Sequence, residues 1–112
     1  MSFEVTSLGE VNKVVLSGRL DSANVDMIEL QFVARVVPPA LSVIVDLSQV
    51  SFLASLGIRL LLSTARSLAG RGAKMALYAP TEAVADVIET TALDDIIPVV
   101  ATEAEALAAI AA

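Results

Sequence analysis

The 112-residue chain has no cysteine and no histidine. Without cysteine there is no disulfide, no thiol nucleophile and no thiolate metal site. Without histidine the commonest metal ligand and the usual general base at neutral pH are missing too. Long apolar runs are also lacking. Hydrophobic residues make up 56% of the chain, yet none of its runs approaches the ~20 residues that a membrane-spanning helix needs. The run from Leu56 to Leu62 is broken by Gly57 and Arg59 and ended by Ser63. Met1-Ser-Phe-Glu-Val lacks the basic stretch and apolar run of a signal peptide. Positive charge is scarce, with 7 Lys and Arg against 13 Asp and Glu and a net charge of −6. That balance repels phosphate backbones and argues against nucleic acid as a partner. A Gly-rich phosphate loop with a lysine and a Gly-x-Ser-x-Gly elbow are both absent. These absences predict a single domain over residues 1–112 that is cytoplasmic, does not insert into a membrane, and has no catalytic residues, metal or cofactor.

What is present is a regular succession of strands and helices. Phe3 to Ser7 alternates weakly, as an edge strand does, and Gly9, Glu10 and Asn12 supply a turn into a second strand at Val14. Gly18-Arg-Leu-Asp21 ends that hairpin. A helix follows with Val25, Ile28, Phe32 and Val36 on one side, and Pro38-Pro39 stops it. Leu41 to Leu47 is nearly all apolar, as suits a central strand buried on both faces. After a short polar turn a helix begins at Ser55, with Ile58, Leu61, Leu62, Ala65 and Leu68 as its apolar stripe and Gly70 and Gly72 at its end. Met75 to Tyr78 is another strand. Pro80-Thr-Glu82 opens a third helix with Val84, Val87 and Ile88 inward. Ile96 to Val100 forms a last strand, with Pro98 tolerated near an edge. Thr102 caps a final Ala-rich helix anchored by Leu107 and Ile110. The predicted fold is α/β: a mixed, mostly parallel sheet of about five strands with an initial β-hairpin and about four helices.

Three polar residues stand where a strand or its turn hands over to a helix: Asp21, Asp46 and Ser55. Each has a structural explanation. Asp21 and Ser55 can cap helices, and Asp46 can cap the turn Leu47-Ser-Gln49. Each also has a functional one, because the rim where strands hand over to helices is where open α/β folds build their sites. The carboxylates of Asp94-Asp95 point apart and read as a solvated turn.

Three stretches carry a family resemblance over essentially the whole chain. Leu16-Ser-Gly-Arg-Leu-Asp21, Val45-Asp-Leu-Ser48 and Ser51-Phe-Leu-Ala-Ser-Leu-Gly-Ile58 resemble, in order and separation, the motifs of the sulfate-transporter and anti-sigma-factor-antagonist (STAS) domain family. The resemblance implies a STAS-like fold and a regulatory binding module without catalysis. Its partner would be an anti-sigma factor that is itself a serine kinase, and phosphorylation of the residue matching Ser55 would switch binding off. Asp21, Asp46, Leu53, Ala54, Leu56 and Gly57 would form the partner-binding surface around that serine. The chain departs from the family at Ala54, where the family has Asp, and at Leu56, where Ser or Thr is common. Both changes make the patch more apolar and suit it to docking. The alternative is a STAS subunit of an ABC-type membrane-lipid transport complex, docking on its ATPase. A domain attached to an anion transporter is disfavoured, since no transmembrane stretch precedes this one. A small enzyme or nucleotide-binding protein fits least, for want of histidine, cysteine and a phosphate loop.

Overall fold

The computed structural model describes residues 1–111. Five strands form one sheet in the order of the sequence: β1 (Ser2–Ser7), β2 (Val11–Leu20), β3 (Ser42–Leu53), β4 (Met75–Tyr78) and β5 (Val99–Val100). Only β1 runs antiparallel to its neighbour, as the opening hairpin requires; the other pairings are parallel. The helices are α1 (Ser22–Val36), α2 (Ser55–Ala69), α3 (Glu82–Thr90) and α4 (Glu103–Ala111). The expected mixed sheet, initial hairpin and four helices are all present.

Period-two alternation decides which side chain meets which helix. Val14, Leu16 and Leu20 of β2 and Val43, Val45, Leu47, Val50 and Leu53 of β3 face α1, α2 and α3 in the larger core. Ile44, Ala76 and Tyr78 face the other way, against Ala106 and Ile110 of α4. Helix α1 buries the four residues its spacing selects, Val25, Ile28, Phe32 and Val36. Phe3 packs edge-on against Phe32 at 5.4 Å and holds β1 to the core.

Four elements depart from expectation, each for a local reason. Strand β3 continues through the supposed polar turn to Leu53, because β2 extends beside it and pairs as far as Leu20↔Leu53. In α2 the buried residues are Gly57, Leu60, Leu61, Thr64 and Leu68, so the stripe is rotated and Ile58, Leu62 and Ala65 flank it. Thr64 tolerates burial because its hydroxyl donates to the Leu60 carbonyl at 2.7 Å. Strand β5 is only two residues long. Leu93–Asp95 forms a 3-10 turn, and the amides of Ile96 and Ile97 both return to the Leu93 carbonyl. Pro98 has no amide to offer, though its carbonyl accepts from Leu77. Helix α4 buries Ala106 and Ile110, and Leu107 lies at the margin. No helix among the described residues is long and apolar enough to cross a membrane.

Candidate functional site

The long pair β2–β3 carries the site. Strand β2 hands over to α1 at Asp21, and β3 hands over to α2 at Ala54. One carboxylate oxygen of Asp21 accepts the Asn24 amide at 3.1 Å and so caps α1. The other receives the Arg19 guanidinium at 3.3 Å. These donors, the Asn24 amide first, hold the Asp21 carboxyl below its ordinary pKa. Arg19 also lies over the ring of Phe52, 4.2 Å from its centroid.

Helix α2 starts differently. Its N-cap is Ala54, in extended backbone and without a side-chain cap hydrogen bond. Ser55 is the first helical residue and is exposed. Capping therefore does not account for it. No acidic side chain occupies the first turn, so the unpaired amides and positive end of the helix dipole stand uncompensated.

Gly57 fixes the start of α2. A methyl group there would sit 2.8 Å from the Leu20 carbonyl oxygen and 2.9 Å from Leu53 Cδ1. The Ala54 amide donates to that same carbonyl at 3.0 Å. The first turn of α2 is thus pressed against the end of β2, and Ser55 is held beside the Leu20–Asp21 corner. Ala54 and Leu56 flank it half-buried, and Leu53 lies beneath, buried.

The structure brings Asp21, Leu53, Ala54, Ser55, Leu56 and Gly57 together. Asp46 is elsewhere. It lies in mid-strand opposite Val15 and Tyr78, seven residues before Leu53, or roughly 20 Å at the usual rise of a strand. Its side chain accepts the Ser48 amide at 2.8 Å, a local bond of the kind expected of it, but inside a strand. Sequence reasoning passed over Phe52 and Arg19. Phe52 is 39% exposed although it is large and apolar. The cue for it lies in the fold and not in the sequence: β3 outruns β4, so a residue between buried Val50 and Leu53 has no helix to cover it.

Two hollows in the surface, about 260 and 520 Å³, are lined by Ala65, Met75, Ile96 and neighbours, and by Pro80, Val100, Glu105 and neighbours. Neither touches this rim. Among the described residues no group of three or more acidic side chains could hold a metal ion. The rim is an exposed hydroxyl on a partly apolar surface, with a fixed carboxylate at its edge. Such a surface suits contact with another macromolecule.

The fold is shared with known proteins. An anti-sigma factor antagonist from Mycobacterium paratuberculosis is 28% identical and superposes with a TM-score of 0.88, over 99% of this chain and 94% of that one. A STAS-domain anti-sigma-factor antagonist from Planctomyces limnophilus is 25% identical with a TM-score of 0.84, over 98% of each. The phosphorylated form of the Bacillus cell fate determinant SpoIIAA, at 24% identity, shares the fold with a TM-score of 0.70, over 97% of this chain and 99% of that one. No curated protein sequence matches. The STAS domain profile matches residues 2–106, and the chain belongs to that family.

Proposed function

We propose that the chain is an anti-sigma factor antagonist. It binds an anti-sigma factor serine kinase through the rim around Ser55, and phosphorylation of Ser55 switches that binding off. One observation carries the proposal: Ser55 is exposed at the start of α2 and caps nothing. Its hydroxyl is free for modification, and its surroundings, Ala54, Leu56 and Phe52, are apolar enough to be desolvated by a partner. The solved relatives named as anti-sigma factor antagonists support this role, and phosphorylated SpoIIAA supports the switch. The module has no catalysis of its own and acts in the cytoplasm.

The switch has a physical basis. A phosphoryl group brings about −1.5 to −2 charges at pH 7. Facing water at a helix N-terminus, that charge is tolerated and stabilised by roughly 0.3–1 kcal/mol. Buried against Leu53, Ala54 and Leu56 in a complex, it must be desolvated, which costs several times more. Binding is lost while the fold is kept.

Ala54 favours a second reading, docking on the ATPase of an ABC-type lipid transporter. It removes the acceptor beside the hydroxyl and leaves a patch that can dock constitutively. A tagged pull-down from the source cells, with mass spectrometry of the partners and of the Ser55 peptide, separates the two. Recovery of a small serine kinase with phosphorylated Ser55 is the expected result. An ATPase and permease with Ser55 unmodified would replace the proposal by the second reading. In binding assays with the kinase, Ser55→Asp is expected to weaken affinity by at least about tenfold, or ~1.4 kcal/mol, with the melting temperature unchanged or raised by a few degrees. Wild-type affinity for Ser55→Asp would refute the switch.

A further inference from the structure

The sheet is covered unequally. Three helices pack on one face, and α4 alone covers the other. Among the described residues, helix α4 (Glu103–Ala111) fully buries Ala106 and Ile110, with Leu107 and Ala109 partly buried beside them. Its second attachment is polar and sits at its N-terminal end. Glu103 receives Lys13 Nζ at 2.7 Å and the Tyr78 hydroxyl at 3.3 Å, both on the same carboxylate oxygen. These three groups come from three elements, and the ion pair ties α4 to β2 across β3. Side chains of Lys13 and Glu103 are partly exposed, at 28% and 43%.

Asp46 faces this cluster. In β3 it lies on the α4 side, opposite Tyr78, and two residues beyond Ile44, the register partner of Lys13. A diagonal neighbour at that offset is within reach of a long side chain. Lys13 therefore has a second carboxylate available. The negative charge of Asp46 also opposes that of Glu103. Two carboxylates stand near one ammonium, Glu103 on α4 and Asp46 on the sheet.

We propose that α4 is a detachable cover for the second face of the sheet, held shut by Glu103 and biased towards opening by Asp46. In the closed state Lys13 pairs with Glu103 and the phenol of Tyr78 donates to the same oxygen. In the open state Lys13 turns to Asp46, and Ile44, Ala76 and Tyr78 are uncovered while the larger core stays intact.

Tyr78 is the single tyrosine and the chain has no tryptophan, so intrinsic fluorescence reports on this face alone. Acrylamide quenching of Tyr78 and hydrogen exchange of residues 106–111 would be measured on the full chain. Wild type, Glu103→Gln, Lys13→Met and Asp46→Asn would be compared at low and high salt. The α4 amides of the wild type are expected to exchange faster than those of β2 and β3. Glu103→Gln and Lys13→Met are expected to raise α4 exchange and Tyr78 quenching by about two- to fivefold, the range of a partly exposed ion pair. Asp46→Asn, which keeps an oxygen for the Ser48 amide, is expected to lower both. High salt should act on the wild type as Glu103→Gln does. Exchange of α4 at the rate of the β2 and β3 amides would overturn the proposal. So would a Glu103→Gln and an Asp46→Asn that fail to move α4 in opposite directions.

Discussion

At the scale of single residues, the site is distinguished by what its helix start lacks. Asp21 caps α1 and Thr81 caps α3 with side-chain oxygens. Thr102 accepts the Glu105 amide in the same way at α4. Only α2, among the helices whose N-caps are described, begins at a residue with no side-chain acceptor and no acid in its first turn. Ala54 already has the extended backbone that an N-cap needs, at φ −116° and ψ 177°. Ala54→Asp is therefore expected to supply the missing cap and raise stability by about 1 kcal/mol, a shift of a few degrees in melting temperature. Thermal unfolding of the two proteins checks this, and an unchanged or lower melting temperature would show that the first turn of α2 is already satisfied. The same change places a carboxylate beside Ser55. If the rim docks a partner through its apolar surface, Ala54→Asp weakens the complex while strengthening the protein.

At the scale of elements, legibility depended on whether neighbours in sequence were also neighbours in space. Helix α1 was readable to the residue, because Val25, Ile28, Phe32 and Val36 meet a uniform sheet surface and nothing else competes. Helix α2 was not, because its rotation is set by Gly57 against Leu20 and Leu53, a contact between three elements. The polar stretch at Ser48 and Gln49 read as a turn because side chains past the end of β4 have no cover, although the backbone there still pairs with β2. The rim residues Asp21 and Ser55 are legible from local signals, whereas Asp46 belongs to the rim only if β3 ends beside it, and the pairing with β2 carries the strand on to Leu53. The pairing of Lys13 with Glu103 was invisible, since nothing local links two residues at opposite ends of the chain. Gly57→Ala tests the close approach that rotates α2. The added methyl group must displace backbone at the Leu20 carbonyl, so the expected cost is about 1–3 kcal/mol, read from denaturant unfolding. In a background that still folds, partner binding should also weaken, because Ser55 is displaced from the Asp21 corner. A Gly57→Ala protein of wild-type stability would mean that the two strands relax freely.

For the whole molecule, the relevant quantity is how stability changes with pH. Carboxyls of Asp21 and Glu103 are held below their ordinary values, Asp21 by the Asn24 amide and then Arg19, Glu103 by Lys13. A carboxylate with a depressed folded pKa contributes stability above its unfolded pKa and loses it as pH falls through the folded value. The acid limb therefore begins near pH 4, at the ordinary values of 3.8 and 4.5. Lys13 is raised above its ordinary 10.5, chiefly by Glu103, so its contribution is complete below that pH and is lost as pH rises through the raised value. Tyr78 is raised above 10.0, first by burial, which disfavours its ionised form and adds to the alkaline loss. Between these limits the profile should be flat, as expected of a chain without histidine. Protonation relieves the repulsion of the net charge of −6 only down to the isoelectric point near 4.4, and below it the chain becomes net positive and repulsion returns, an effect that overlies the loss in any single melting curve. A difference between two proteins removes that common effect. Asp21→Asn is expected to melt below the wild type at pH 7 and to converge with it as pH falls below 3.8. A gap that persists unchanged to pH 2 would assign the Asp21 contribution to hydrogen-bond geometry, which asparagine fails to reproduce, and not to its charge.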